Sequence, residues 1–452
     1  MREGGNMNRV IKNGLRAGIL IAACFAMAVP TLAWDKGNLA DYHQRRERIV
    51  HSTGDGVVVL FGFSEDEIAV STVEFRQNEM FYYLTGWNQP DAILLLVPKP
   101  PHANGQPSEF DKEILFIPPH DYRAEKWRGP KLGPDDPEAK SQTGFPTVLN
   151  KALFPSVFHE ALKSFPVVYT ELTPQPESGE DHFIETSVAQ LKTLAPMASF
   201  RDIRAQLTRM RAVKSPGEIA LMRKAVDASV EGHLAAMKTL KPGMMEYEVA
   251  ARMEYEYRRR GCEWPSYPPI VGSGFYSTVL HYDEDSRPIQ DGDVVVMDVA
   301  GSYSGYASDI TRTLPANGHF TERQREIYTL VYGAQEAALG AAKPGVTVGE
   351  LNKIARDYIN SHGKDQHGQT LGQYFIHGLS HSVGLNVHDP MEYSQPVEPG
   401  MVITLEPGIY IPEEKLGVRI EDMILITPEG AELLSKRLPR QADDVERAMA
   451  SR

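Results

Sequence analysis

From Lys214 to about Arg437 the chain reads helix then strand, and then the same again. Lys241-Pro242-Gly243 opens an amphipathic helix containing Glu248-Val249, and Lys343-Pro344-Gly345 opens another containing Glu350-Leu351. Gly292 precedes Asp298 across five residues, as Gly400 precedes Glu406. Asp309 follows Gly305 by four residues, as Glu421 follows Gly417. His281 and His388 precede Asp298 and Glu406 by 17 and 18 residues. Five features in one order, twice, predict a duplicated α/β half whose strands meet around a single site. Two copies are too few for a solenoid.

The acids in those copies sit where charge is expensive. Val294–Val296 runs through Met297 onto Asp298, Met401–Leu405 ends on Glu406, and Glu421 separates two apolar runs. Carboxylates at the ends of buried strands need a partner. A single Asp after an apolar strand is ordinarily a turn residue, but matched acids in two copies favour a shared ligand. Asp298, Asp309, Glu406 and Glu421 with His381 make an oxygen-rich set with one imidazole, which suits Mn²⁺-like ions better than thiolate-seeking ones. Two such ions would satisfy all five side chains. In each half the two acids are expected on the two strands of a hairpin, with Pro412–Gly417 as the longer turn of the second. Arg419, two residues from Glu421, is expected to share its strand and pair with a ligand carboxylate. His281 and His388 are candidate catalytic groups because they repeat. His377 and Tyr410 are candidate supports, the first four residues before His381 and the second four after Glu406.

Serine-hydrolase and phosphate-binding readings are weak. Ser273 and Ser380 lie near histidines without a Gly-x-Ser-x-Gly elbow, and Gly272-Ser-Gly274 lacks a phosphate-loop context.

The first 33 residues read as a signal peptide. Arg2, Arg9, Lys12 and Arg16 precede the apolar run Ala17–Val29, and Thr31-Leu32-Ala33 offers small residues for cleavage before Trp34. Ile21-Ala22-Ala23-Cys24 is a rival lipoprotein box, but apolar residues rather than a polar tether follow Cys24. An uncleaved anchor also stays open. The expectation is export to the periplasm or medium. Only Cys262 would remain after cleavage, so no intrachain disulfide is expected.

The formal net charge is −13; residues 1–33 hold four basic residues and one acidic, leaving 43 − 59 = −16 for the rest. That balance argues against a nucleic-acid partner and against an anionic membrane surface. Residues 34–205 form the expected amino-terminal domain and 206–452 the expected catalytic domain. Val57–Phe61, Ala92–Val97 and Ile114–Ile117 read as strands, Pro118–Gly144 as mostly loop, Pro174–Asp181 as a linker and Thr186–Thr208 as a helical connection. Ser215, Pro216 and Glu218 predict a capped helix start.

Four stretches, DGDVVVMDVAGSYSGYASDITRT, HGLSHSVGLNVHD, EPGMVITLEPGIYI and LGVRIEDMILIT, resemble the metallopeptidase family that includes aminopeptidase P, prolidase and methionine aminopeptidase. The resemblance runs from about Arg45 to Met449. FRQNEMFYYLTGWNQPDAILLLV, from Phe75, is similar to the amino-terminal domain of aminopeptidase P. The resemblance implies a creatinase-like α/β domain followed by a pseudo-twofold "pita-bread" catalytic domain. It implies release of an N-terminal residue that precedes proline, and self-association as a dimer or tetramer. Asp298 would chelate one manganese, His381 and Glu406 the other, with Asp309 and Glu421 bridging; Zn²⁺ or Co²⁺ are alternatives. A bridging hydroxide would attack the scissile carbonyl, Glu406 would carry its proton to the proline nitrogen, and His281 and His388 would steady the intermediate and the proline side. His377, Tyr410 and Arg419 would support them. The chain departs from that pattern at Pro390-Met391 and at Asp283-Glu284-Asp285, both flanking the side where the resemblance implies the substrate. A prolidase restricted to dipeptides and a non-catalytic binding protein on the same fold are the competing readings.

Overall fold

Six strands of the amino-terminal half build one mixed sheet: β1 (Val57–Phe61), β2 (Ile93–Pro98), β3 (Phe110–Ile117), β4 (Thr147–Asn150), β5 (Val167–Thr170) and β6 (Ser199–Asp202), in the order β4-β3-β2-β1-β5-β6. The structure is a computed structural model and describes residues 37–64, 75–99, 110–173 and 179–450. The expected signal segment lies outside them, as do residues 174–178 of the expected linker. β1 and β2 are apolar almost throughout because both faces of the sheet are covered. One face packs Val57, Val59, Leu95 and Phe116 against Phe154 and Phe158. The other packs Val58, Leu60, Leu94 and Leu115 into a core that continues through Val226, Val295 and Ile403.

Residues 186–208 are not one helical connection. A helix over Gly179–Leu194 stops just before Ala195-Pro196, β6 extends the sheet edge in parallel with β5, and a second helix covers Arg204–Ala212. Pro196 disfavours helical backbone at the residue before it and lacks an N–H.

The second half begins where the caps predict. Ser215 and Glu218 form a capping box at the start of the Pro216–Thr239 helix, which packs on the Glu246–Arg258 helix. The Glu322–Ala341 and Val348–His362 helices repeat this pair. The duplication extends to single backbone bonds. Gly243 and Gly345 have φ of 89° and 92°, a region glycine reaches without strain. Their N–H groups donate to Ile289 O (2.9 Å) and Val397 O (3.0 Å), and Ile289 and Val397 donate back to Met244 and Val346, each at 2.8 Å.

Two matched strand sets follow. β8 (Ile270–Ser273), β9 (Val294–Asp298) and β11 (Thr311–Pro315) form one antiparallel sheet; β12 (Val402–Leu405), β15 (Asp422–Thr427) and β16 (Gly430–Leu433) form the other. Residues Leu379–Val383 run beside β12 as β8 runs beside β9: Glu406 N donates to Leu379 O and Thr404 N to His381 O, both at 2.9 Å. In the first copy, the excursion between β9 and β11 holds the short β10 (Gly301–Ser302), paired with β7 (Trp264–Pro265). In the second, a whole hairpin, β13 (Gly408–Ile411) and β14 (Leu416–Arg419), is inserted between β12 and β15. The expected turn Pro412–Gly417 thus belongs to this inner hairpin, with Pro412–Lys415 as its turn and Leu416 and Gly417 already on β14, and not to the pair that carries the acids.

The copies meet at a seam. Thr311 N donates to Glu421 O at 3.4 Å and Glu421 N to Thr311 O at 3.1 Å. Beside it the fully buried Arg312 holds the fully buried Asp422 at 2.7 Å and donates to the carbonyls of Thr311, Glu421 and Pro439. Removing one partner of such a pair leaves an uncompensated buried charge. Arg312→Met is therefore expected to destabilise the protein by about 3–5 kcal/mol, read by urea unfolding; an unchanged midpoint would show that the seam does not depend on this pair.

Candidate metal centre

The strand ends deliver the acids. Asp298 is the last residue of β9, opposite Ile270 of β8 and Thr311 of β11. Asp309 lies two residues before β11 rather than on it, and Glu421 one residue before β15 rather than on β14 with Arg419. Glu406 is the first residue after β12. Glu421 pairs with Thr311 across the seam, and Asp309 precedes Thr311 by two residues. His381 comes from the segment beside β12, its N–H on Thr404 Oγ1 at 3.1 Å.

These five side chains line one cavity of about 560 Å³, together with His281, His377, His388 and Arg419. Donor atoms of Asp309, His381 and Glu421 lie within 4.8 Å of one another. His381 Nδ1 donates to Ser382 O at 3.2 Å, which leaves Nε2 for the acids: 3.3 Å from Asp309, 3.4 Å from Glu406 and 4.0 Å from Glu421. Arg419 donates to Asp298 Oδ2 at 2.7 Å. Asp298 Oδ1 is buried and makes no hydrogen bond among the described residues.

Electrostatics expose a shortage of positive charge. Burial, with Asp309 nearby, raises the Asp298 carboxyl above its ordinary range against the pull of Arg419. Burial and the neighbouring acids push Glu421 well up, and burial takes Glu406 to about 8 despite the attraction of His381. For His381 burial works downward, but Asp309 and Glu406 outweigh it and lift the imidazole to about 9. Four carboxylates, one imidazole and an orphaned buried oxygen fit divalent cations, which supply the missing charge without steric bulk.

A hydrogen-bond chain runs behind the acids. Arg419 Nε donates to Thr311 Oγ1 (3.2 Å), which donates to Glu421 Oε2 (2.6 Å). Arg419 also donates to Tyr410 OH at 3.0 Å, and that hydroxyl lies 2.8 Å from His377 Nε2. His377 Nδ1 meets Gly378 O at 2.8 Å. Burial drives His377 down to about 4, so it is a neutral ring that donates from Nδ1 and accepts from Tyr410. His388 is exposed, with its ring 4.3 Å from that of His381 at 80°; partial burial and then the His381 charge lower its pKa. His281 is exposed on the cavity rim beside Asp283.

Every expected site residue thus comes to one place, with Tyr410 in the layer behind the wall. Two contributors escaped the sequence. Tyr267 donates to Asp309 Oδ1 at 2.7 Å, from a Ser-Tyr-Pro-Pro stretch with no periodic or acidic signal. Thr311, the first residue of β11, carries no acidic or imidazole signal in the sequence. Ser273 is spoken for: it donates to the buried Glu246 at 2.6 Å. Ser380 lines the cavity, with no base within hydrogen-bond reach among the described residues.

Residues 220–428 match the model for metallopeptidase family M24, and residues 42–169 that for the aminopeptidase P N-terminal domain. The Xaa-Pro aminopeptidase of Haemophilus influenzae is 35% identical over 437 residues, covering 90% of this chain and 97% of that protein. The chain belongs to metallopeptidase family M24. The structure of aminopeptidase P from E. coli with the inhibitor Pro-Leu aligns with a TM-score of 0.81 at 32% identity, over 92% of this chain and 99% of that one. The Xaa-Pro dipeptidase of Pyrococcus horikoshii is 42% identical over 253 residues, 55% of this chain and 70% of its own. The matched halves are the pita-bread catalytic fold of M24, preceded by an aminopeptidase P-type α/β domain, and the protein is a metal-dependent hydrolase of peptide bonds.

Metal uptake by this M24 site must displace protons. Without metal, the raised His381 contributes stability below its ordinary 6.5, lost as pH rises through about 9. Glu406 acts in the same direction: ionising it costs stability from 4.5 up to about 8. Both effects weaken the metal-free protein as pH climbs, and metal reverses both. Mn²⁺ affinity is expected to tighten from pH 6 to 9 with proton release, measured by calorimetry in buffers of different ionisation heat. A pH-independent affinity would contradict this.

Proposed function

We propose that the protein is an exported Xaa-Pro aminopeptidase, releasing the first residue of peptides whose second residue is proline. The observation that carries this reading is an aminopeptidase P-type amino-terminal domain in front of an M24 domain in which four acids and His381 line one cavity. The Pyrococcus dipeptidase aligns over barely half of the chain, which favours the aminopeptidase over a dipeptide-only enzyme. A non-catalytic binding protein is disfavoured because all five donors are present and converge.

In this reading Asp298, Asp309, His381, Glu406 and Glu421 hold two divalent ions, best matched by Mn²⁺, with Zn²⁺ or Co²⁺ as alternatives. When bound, such a pair polarises the scissile carbonyl and supplies hydroxide at neutral pH. Glu406, with its carboxyl pushed up to about 8 before metal binds, takes a proton and returns it to the leaving proline nitrogen. His281 and His388 on the rim steady the developing oxyanion and the proline side. Arg419 orients Asp298 directly and Glu421 through Thr311, while Tyr410 and His377 fix the Arg419 fork. We further propose a mature amino terminus at Trp34 and self-association as a dimer or tetramer; no helix among the described residues is long and apolar enough to cross a membrane.

Asp298→Asn is expected to lower kcat/KM for a Xaa-Pro tripeptide at least about 100-fold while leaving the circular dichroism spectrum unchanged. Full activity in that variant, or in metal-stripped protein, would refute the assignment. Dipeptide and tripeptide substrates assayed side by side separate the two peptidase readings: cleavage of the dipeptide alone makes the protein a prolidase. Amino-terminal sequencing of exported protein is expected to begin at Trp34; a blocked, lipidated Cys24 would replace simple secretion with an anchor.

A further inference from the structure

Three buried charges beneath the His388 loop have no part in the chemistry above. Asp389 follows His388 directly and is 2% exposed. Its Oδ1 accepts from Arg211 at 2.6 Å, and its Oδ2 lies 3.4 Å from Lys214 Nζ. Lys214 Nζ also donates at 3.0 Å to Ser382 Oγ, on the residue after His381. Both cations are buried as well. They come from the segment joining the two halves, at the end of the Arg204–Ala212 helix and just beyond it.

The loop is closed at its base by Asp389 N donating to Ser382 O at 2.9 Å. Within it, Asn386 N donates to Asp389 Oδ1 at 3.2 Å. A Cβ on Gly384 would lie 2.4 Å from Asp389 Oδ2, so the carboxylate occupies the space the glycine leaves open. Gly384 O accepts from Ala307 N at 2.8 Å, and Leu385 O accepts from Arg76 at 2.8 Å. The His388 imidazole makes no hydrogen bond among the described residues, and its one aromatic contact is with His381. Its position is therefore set by the backbone that Asp389 pins. Buried ion pairs seldom add net stability over apolar residues of similar volume. Three buried charges at the foot of this loop are better explained by the geometry they impose.

We propose that Asp389, clamped between Arg211 and Lys214, is a positioning residue that holds His388 over the metal-binding cluster. The proposal rests on the role given to His388 above. A misplacement on the scale of an ångström is enough to cost orders of magnitude in rate, so the clamp acts on turnover through His388 rather than on substrate directly.

A double-mutant cycle tests it on the full, metal-loaded protein, with kcat and KM measured for a Xaa-Pro tripeptide and metal content determined for each variant. Asp389→Asn is expected to lower kcat about 10-fold or more with KM and metal content little changed. In a His388→Ala background the same substitution should cause almost no further loss. Arg211→Lys, which keeps the charge but not the planar fork, should lose less than Arg211→Met. If Asp389→Asn does not fold, Arg211→Lys takes its place in the cycle. Equal losses with and without His388, or loss of metal, would overturn the clamp alone. Wild-type kcat in His388→Ala would overturn the reading of His388, and the clamp with it.

Discussion

Mutual repulsion among Asp298, Asp309, Glu406 and Glu421 is the constraint around which the second half is organised. Each acid lies at, or within two residues of, the end of a buried strand, and the two copies meet at the Thr311–Glu421 seam. Carboxylates this close cannot all ionise in a low-dielectric site without cations. The protein supplies only part of the requirement: Arg419 reaches Asp298, and Arg312 neutralises Asp422 just behind the seam. The remaining deficit is what makes the site a receptor for divalent ions. Stability and function conflict here, since the same burial that strengthens metal binding penalises the empty site.

The sequence made the donor set legible because duplication turned weak signals into a pattern. Asp298 alone reads as a turn residue; Asp298 and Glu406 at matched distances from Gly292 and Gly400 do not. The structure extends that logic to the main chain, where Gly243 and Gly345 make equivalent bonds to Ile289 and Val397. The Val57–Phe61, Ala92–Val97 and Ile114–Ile117 runs were readable for a simpler reason, being apolar almost throughout. What escaped were contacts between distant segments. Tyr267 meets Asp309 across 42 residues and Arg211 meets Asp389 across 178, and no local periodicity encodes such pairs. Residues 186–208 misled because helical composition runs on both sides of Pro196, while the short β6 between them is defined by its partner β5 rather than by its own pattern.

The two halves of the chain share more than a covalent link. The hydrophobic core is continuous from Leu60 and Phe81 to Val295 and Ile403. Polar contacts cross as well: Tyr82 donates to Ser304 O and Arg76 to Leu385 O. The amino-terminal domain therefore buttresses the far wall of the cavity, where the 384–389 loop stands.

The hairpin inserted between β12 and β15 bears on a separate problem. A peptide has a direction, whereas a cup built from two equivalent halves would accept it either way round. Tyr410 and Arg419 both lie on that hairpin, and Arg419 reaches across to Asp298 in the opposite copy. The first copy has only the short β10 excursion at this point. The insertion thus adds to the asymmetry that His381 already gives the donor set, so that the vessel has a front and a back.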